Sequence, residues 1–156
     1  MVQPVARERV TAREVATVER LIDDDRERGI FRVNRRSMTS PDVLDLEFER
    51  LFGRTWLYVA HESEIAEPGA YCRRTIAGRP MFAARDLQGN VRVFFNTCTH
   101  RGALVCRQDA GTARTFQCFY HAWTYNISGE IAGVPDRDSY PPDMDWKNMG
   151  LRSPAH

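Results

Sequence analysis

Two short segments of this 156-residue chain each combine a cysteine with a histidine, and they constrain the fold more than any other feature. The first reads N-T-C-T-H-R-G-A over residues 96–103, and the second reads Q-C-F-Y-H-A-W over residues 117–123. Each follows directly on a predicted strand, so the pattern predicts two loops that a rigid sheet supports, as a metal site requires. The candidate ligands are two thiols and two imidazoles: Cys98, His100, Cys118 and His121.

This mixture of ligands is typical of a binuclear iron–sulfur centre. A [2Fe–2S] cluster with two thiolates on one iron and two imidazoles on the other carries less negative charge than an all-thiolate cluster, so it accepts an electron at a higher potential. We expect the cysteines on a buried iron and the histidines on the outer iron. A structural zinc site also uses two cysteines and two histidines, but usually with two to four residues between the members of a pair. The single residue between Cys98 and His100 fits zinc poorly. Zinc, or no metal, stays as the alternative.

Composition narrows the class of protein further. A hydrophobic content of 42% in 156 residues is enough for one compact domain with an appendage. The 22 basic and 21 acidic residues nearly cancel, which argues against a nucleic-acid interface. No apolar run is long enough to cross a bilayer, and the N-terminus lacks the apolar core of a secretory signal. We therefore expect a cytoplasmic protein whose cysteines are thiols or metal ligands, Cys72 and Cys106 being buried or incidental.

The N-terminal third of the chain has helical patterns. Thr11 and Glu14 form a capping box, and an apolar stripe follows that predicts a helix ending at Gly29. Ser40-Pro41 is an N-cap followed by proline at the first helical position, so a second helix is predicted from there to Gly53.

After residue 55 the pattern changes to short β segments separated by turn residues. The predicted strands lie near residues 56–60, 71–77, 80–85, 91–96, 113–117, 123–126 and 130–134. Several short strands at this spacing indicate a small antiparallel sandwich or barrel. The fold class predicted for the whole chain is therefore mostly β with N-terminal helices (α+β), with the two Cys–His segments as loops of the β part.

C-T-H-R-G-A followed by C-F-Y-H-A-W resembles the Rieske segment of the large (α) subunits of aromatic-ring-hydroxylating oxygenases. The residues before these motifs are also similar to the family: Phe48–Phe52, Trp56, L-Y-V-A-H-E-S at 57–63, and Pro68-Gly69. The resemblance covers about residues 30–134. It implies an N-terminal helical lead over residues 1–54, a Rieske [2Fe–2S] domain over 55–140, and over 141–156 the start of a linker to a catalytic domain that this chain lacks.

The resemblance also implies a function. Electrons from NADH would pass through a reductase, with or without a ferredoxin, to the cluster and then to a mononuclear non-haem Fe(II) that hydroxylates an aromatic substrate. That iron needs two histidines and a carboxylate, and His156 is the only histidine after His121, so we expect the catalytic domain to lie outside this chain. Expected partners are neighbouring large subunits in a trimer and a small β subunit. The alternative is a stand-alone Rieske ferredoxin.

Two departures from respiratory-chain Rieske proteins refine this expectation. Ala103 and Tyr120 stand where those proteins carry a pair of disulfide-forming cysteines, and Ala122-Trp123 stands where they carry glycine and serine. The missing serine would donate a hydrogen bond to the cluster, so we expect a potential near the low end of the Rieske range. We expect Ala122 to be tolerated, and Trp123 and Tyr120 to pack over the cluster and exclude water.

Overall fold

The computed structural model describes residues 21–154, which divide into two compact units between residues 56 and 57. The predicted capping box at Thr11 and Glu14 lies outside the described residues. The two units are described separately below.

The first unit begins with an antiparallel hairpin of β1 (Ile22–Asp25) and β2 (Ile30–Val33). The predicted helix up to Gly29 is therefore wrong over residues 22–29. The physical reason lies in the aspartates, whose side chains compete for backbone hydrogen bonds and favour turns. The Arg28 backbone N–H donates to Asp25 Oδ1 at 3.0 Å within the turn. Gly29 has φ +64°, a conformation that suits a hairpin turn as well as the end of a helix.

The second predicted helix is confirmed. A 3₁₀ turn at Arg35–Met38 precedes α1 (Pro41–Glu47), which continues into a π-helical turn at Phe48–Phe52. Proline occupies the first helical position, where its missing N–H costs no intrahelical hydrogen bond. The helical segment ends at Gly53, whose N–H donates to the Phe48 carbonyl at 3.1 Å.

The second unit consists mainly of antiparallel β structure. Its strands are β3 (Ala70–Ile76), β4 (Arg79–Arg85), β5 (Val91–Phe95), β6 (Ala110–Thr112), β7 (Thr115–Gln117), β8 (Thr124–Asn126) and β9 (Ile131–Gly133). They form one sheet in the order β5-β4-β3-β6 and another in the order β7-β8-β9. Short 3₁₀ turns lie at Glu62–Ile65, Arg137–Ser139 and Trp146–Met149. None of the helices within residues 21–154 has the length and hydropathy needed to span a membrane.

The predicted class, mostly β with N-terminal helical residues, is confirmed, but two strand predictions differ from the structure. Within the described residues, 56–60 belong to no strand, although W-L-Y-V-A is rich in the aromatic and β-branched residues that favour strands. The prediction also missed β6, whose residues A-G-T carry little β propensity. Strand β6 forms because it pairs with β3, a long-range contact that local sequence does not reveal.

The core of the second unit lies between the two sheets and is rich in aromatic side chains. Its largest fully buried members are Trp123, Tyr125 and Phe82. Gly129 has φ +88°, and a Cβ at that position would collide with the Phe94 ring, so the turn before β9 requires glycine both for its conformation and for space.

Residues beyond 140 also contact this core. Tyr140, Met144, Trp146 and Met149 pack against it, and Leu151 is buried in it. The Leu151 N–H donates to the Gly129 carbonyl at 2.7 Å. The assignment of residues 141–156 as the start of a linker remains a prediction, and the described part of that stretch is packed on the β domain.

Candidate metal centre

The two Cys–His segments form loops with the same backbone hydrogen bonds. Loop 1 (residues 96–103) follows β5, and loop 2 (residues 117–123) begins at the last residue of β7. In each loop the cysteine N–H donates to the carbonyl five residues later, and the cysteine carbonyl accepts the N–H four residues later. The bonds are Cys98 N–H to Ala103 (2.8 Å), Gly102 N–H to Cys98 (2.8 Å), Cys118 N–H to Trp123 (2.8 Å) and Ala122 N–H to Cys118 (2.9 Å).

This shared frame needs a left-handed residue four positions after each cysteine. Gly102 meets the requirement with φ +76°, whereas Ala122 adopts φ +56° despite its Cβ. An L-residue in this region costs on the order of 1 kcal/mol. The expected tolerance of Ala122 thus has a physical cost, since the position favours glycine.

The thiols of Cys98 and Cys118 lie at the buried side of the loops. Their residues are 3% and 2% exposed, and both are free thiols in the structure. The hydroxyl of Tyr125 lies 3.1 Å from Cys98 Sγ. Burial therefore protects both thiols from solvent.

The imidazoles of His100 and His121 meet at the partly exposed side. Their ring centroids are 4.7 Å apart with an interplanar angle of 69°. Each Nδ1 is buried and has no hydrogen-bond partner in the structure. Burial lowers the pKa of His100, and the neighbouring His121 and Arg101 lower it further, which favours the neutral imidazole that binds metals.

The donor set fits a [2Fe–2S] cluster. Two buried Nδ1 atoms without partners are the kind of orphaned polar group that a metal bond would satisfy. Within the described residues, no three His, Cys, Asp or Glu side chains converge to hold a single ion. A binuclear cluster takes only two protein ligands per iron, whereas a structural zinc needs four on one ion. Two buried thiols and two partly exposed imidazoles therefore match the division of ligands between the two irons of such a cluster.

Asn96 anchors loop 1 and was not singled out from the sequence. Its side chain is completely buried. Its Oδ1 accepts the N–H groups of Val105 (3.1 Å) and Cys106 (2.7 Å), and its Nδ2 donates to the Cys106 carbonyl (2.7 Å). The sequence showed only an asparagine between an apolar strand and the Cys–His motif. Its hydrogen-bond partners lie nine and ten residues further along the chain, so local sequence did not reveal its role.

Tyr125 was also missed. It lies on β8 and is fully buried, and burial is the main cause that raises the pKa of its hydroxyl. That hydroxyl accepts the Thr99 N–H at 3.1 Å and lies 2.9 Å from Thr99 Oγ1. The sequence offered no signal beyond an aromatic residue on a predicted strand.

Trp123 and Tyr120, the aromatic neighbours of the two histidines, differ in how far they are buried. Trp123 is buried and stacks on the His100 ring, with centroids 4.9 Å apart and planes within 5°; that it packs over the cluster stays a prediction. Its Nε1–H donates to the Tyr140 hydroxyl at 3.3 Å. Tyr120 contacts the His121 ring, with centroids 3.8 Å apart, but is 55% exposed, so it covers the site only in part.

Exposed apolar side chains lie on loop 2 and directly after loop 1. Phe119 is 63% exposed, and the Arg107 guanidinium lies 5.1 Å above its ring. Leu104 is exposed as well. Cys72 and Cys106 are buried, as expected, and burial raises the pKa of the Cys106 thiol to about 11. His61 is exposed and caps the 3₁₀ turn at Glu62–Ile65.

A compact antiparallel β domain that presents paired Cys–His loops is a cluster-binding electron-transfer domain. The chain belongs to the Rieske [2Fe–2S] domain family, whose model matches residues 55–147. The resemblance noted in the sequence is thereby confirmed, and the cofactor of this family is the [2Fe–2S] cluster.

The comparisons also identify relatives. The chain is 40% identical over 124 residues to chlorobenzene dioxygenase subunit alpha of Cupriavidus sp. (strain PS12), covering 78% of this chain and 28% of the relative. The structure of this chain is similar to that of naphthalene 1,2-dioxygenase from Rhodococcus sp. bound to indole. The TM-score is 0.69 and the sequence identity is 42%, and the match covers 73% of this chain and 26% of that one. The quaternary ammonium Rieske monooxygenase CntA with γ-butyrobetaine gives a TM-score of 0.70 and 32% identity, covering 76% and 34%. The chain thus spans less than a third of the length of the curated relatives it matches.

Proposed function

We propose that Cys98 and Cys118 bind the buried iron of the cluster and that His100 and His121 bind the outer iron. The observation that carries this assignment is the pair of buried, partnerless Nδ1 atoms on imidazoles whose rings are 4.7 Å apart. When bound, the cluster supplies reversible one-electron transfer. The chain itself holds the thiolates away from water and fixes the imidazoles by packing them against Trp123 and Tyr120.

The histidine side is the proposed route for electrons to the next centre. The two cysteines are buried, whereas His100 and His121 are only partly covered. The exposed rings of Phe119 and Tyr120 beside His121 resemble the core of a protein interface more than a solvated loop. We infer that this surface meets the catalytic domain of a neighbouring large subunit, as in a trimer.

The larger protein that this domain serves is proposed to be the large subunit of an aromatic-ring-hydroxylating oxygenase. Dioxygenase α subunits for chlorobenzene, toluate, benzene and biphenyl among the relatives support this proposal. A reductase that uses NADH, with or without a ferredoxin, would supply the electrons. A mononuclear Fe(II) in a further domain and a small β subunit would complete the enzyme, which we expect in the cytoplasm.

The aromatic class of substrate is proposed from the dioxygenase relatives. CntA acts on a quaternary ammonium compound and matches this fold as well as a naphthalene dioxygenase does.

The proposed domain bounds are a lead over residues 1–54, the cluster domain over 55–140 and a linker start over 141–156.

The ligand assignment is tested by electron paramagnetic resonance of the reduced chain, with iron and sulfide analysis. The wild-type chain should bind about two irons and two sulfides and give a Rieske-type signal. His100→Ala and His121→Ala should each abolish the signal, while the matched control His61→Ala, outside both loops, should retain it. Full signal in either ligand variant would refute the assignment.

The same measurements separate the alternatives. Bound zinc without sulfide would identify a structural zinc site, and a signal that survives loss of both histidines would identify cysteine-only ligation. The oxygenase role is tested separately by joining the chain to a catalytic domain of a dioxygenase relative and measuring NADH-dependent product formation. Failure of that chimera with an intact cluster signal would leave an electron carrier.

A further inference from the structure

A hydrogen-bond network around Tyr125 connects Cys98 to the stretch beyond residue 140. The Tyr125 hydroxyl lies 3.1 Å from Cys98 Sγ and 2.9 Å from Thr99 Oγ1, and it accepts the Thr99 N–H at 3.1 Å. The Thr99 hydroxyl in turn lies 2.6 Å from the Met149 carbonyl oxygen. Among the described residues these are the only polar partners of the Tyr125 hydroxyl.

The direction of each hydrogen bond follows from what each group can do. The Met149 carbonyl can only accept, so the Thr99 hydroxyl donates its hydrogen there. A thiolate at Cys98 has no hydrogen, so it can only accept from Tyr125. The single hydroxyl hydrogen of Tyr125 therefore has two acceptors, Cys98 Sγ and Thr99 Oγ1.

On the basis of the proposed cluster, we propose that Thr99 is a positioning residue that lowers the cluster's reduction potential by competing with Cys98 for the Tyr125 hydrogen. A hydrogen bond donated to a ligating sulfur stabilises the extra negative charge of the reduced state and raises the potential. Whenever the Tyr125 hydroxyl donates its hydrogen to Thr99 Oγ1, the hydrogen bond to Cys98 Sγ is weakened. Met149 makes the competition possible because its carbonyl accepts the Thr99 hydroxyl hydrogen. That hydrogen then points away from Tyr125, and Thr99 Oγ1 can accept from the Tyr125 hydroxyl.

The geometry keeps the competition confined to these groups. Tyr125 is fully buried on β8, so its ring cannot turn to seek water. Leu151 is buried, its N–H is bonded to the Gly129 carbonyl, and the Arg152 carbonyl accepts the Phe95 N–H at 2.8 Å, so the backbone beside Met149 is held in place.

The test is the cluster's reduction potential in the full chain, measured by redox titration of its paramagnetic signal. Thr99→Val keeps the β-branched shape but removes Oγ1, leaving Cys98 as the only acceptor. We expect the potential to rise, by up to about a tenfold change in the equilibrium constant for reduction, which is about 59 mV for one electron. Thr99→Ser retains the hydroxyl and should match the wild type.

A double-mutant cycle separates competition from a structural effect. Tyr125→Phe should lower the potential, and Thr99→Val should produce no further change in the Tyr125→Phe background. Deuterium exchange adds a spectroscopic readout, because Thr99→Val should strengthen the coupling of one exchangeable deuteron to the cluster and Tyr125→Phe should abolish it.

An unchanged or lowered potential in Thr99→Val, with the wild-type signal retained, would overturn the proposal. So would an equal rise from Thr99→Val in the Tyr125→Phe background. If Thr99→Val does not fold, Thr99→Ala provides the same comparison, and loss of fold in both variants with Thr99→Ser folded would assign the hydroxyl to structure and overturn the proposal. Absence of any Rieske-type signal in the wild type would instead mean that the proposed function fails.

Discussion

Loop 1 and loop 2 hold their cysteines in the same backbone frame, yet different forces fix the two loops to the protein. Loop 1 is held by polar contacts, because the buried amide of Asn96 satisfies three backbone groups of the returning chain. Loop 2 ends in Trp123, whose buried ring packs against the core and stacks on His100 of loop 1. The same backbone frame around a cysteine ligand can therefore be stabilised either by hydrogen bonds or by aromatic packing. Loop 2 also stabilises loop 1, because Trp123 stacks on His100.

The largest effect is expected at the aromatic support. Trp123→Ala removes a fully buried ring, its stacking on His100 and its hydrogen bond to Tyr140, so the free energy of unfolding should fall by about 4 kcal/mol. Anaerobic urea denaturation followed by circular dichroism measures the change. The control Trp56→Ala removes an indole that is 85% exposed and should alter stability by less than about 0.5 kcal/mol. Similar losses for both variants would contradict the support role.

The polar support should rank second. Asn96→Ala leaves two buried N–H groups and one carbonyl without partners, so we expect a loss of about 3 kcal/mol in the free energy of unfolding. Asn148→Ala, at an exposed turn, should change it by less than about 1 kcal/mol. If Asn96→Ala proved as mild as its control, the contrast between a polar and an aromatic support would fail.

The smallest effect concerns the left-handed residue of each frame, and it should have opposite signs in the two loops. Ala122→Gly relieves backbone strain and should raise the free energy of unfolding by about 1 kcal/mol, whereas Gly102→Ala should lower it by about the same amount. A Cβ at Gly102 would meet nothing closer than Thr97 Cγ2 at 4.0 Å, so this loss reflects conformation and not a clash. Ala132→Gly on β9 is the control and should be destabilising. Equal signs in the two loops would refute the shared frame.

Much of the site could be predicted from the sequence because its signal is local. Each Cys–His motif follows a strand, and the loops lie where the motifs predicted them. The second helix was predictable for the same reason, since Ser40 and Pro41 mark its start within two residues.

The errors and omissions share a different physical cause. Strand β6 and the partners of Asn96 and Tyr125 depend on contacts between residues distant in the sequence. The hairpin of β1 and β2 was mistaken for helix because Gly29 ends a helix and forms a turn equally well. A short apolar pattern did not distinguish a helix from a hairpin, whereas two Cys–His pairs are compatible with few kinds of metal site.

We propose that two imidazoles, one from each loop, bind one iron of a [2Fe–2S] cluster. The most direct test is pulsed electron paramagnetic resonance of the reduced chain with ¹⁵N-labelled histidine. We predict two strongly coupled histidine nitrogens, and both couplings should remain in the controls His61→Ala and Cys72→Ala. A reduced cluster with no coupled histidine nitrogen, or with only one, would contradict it.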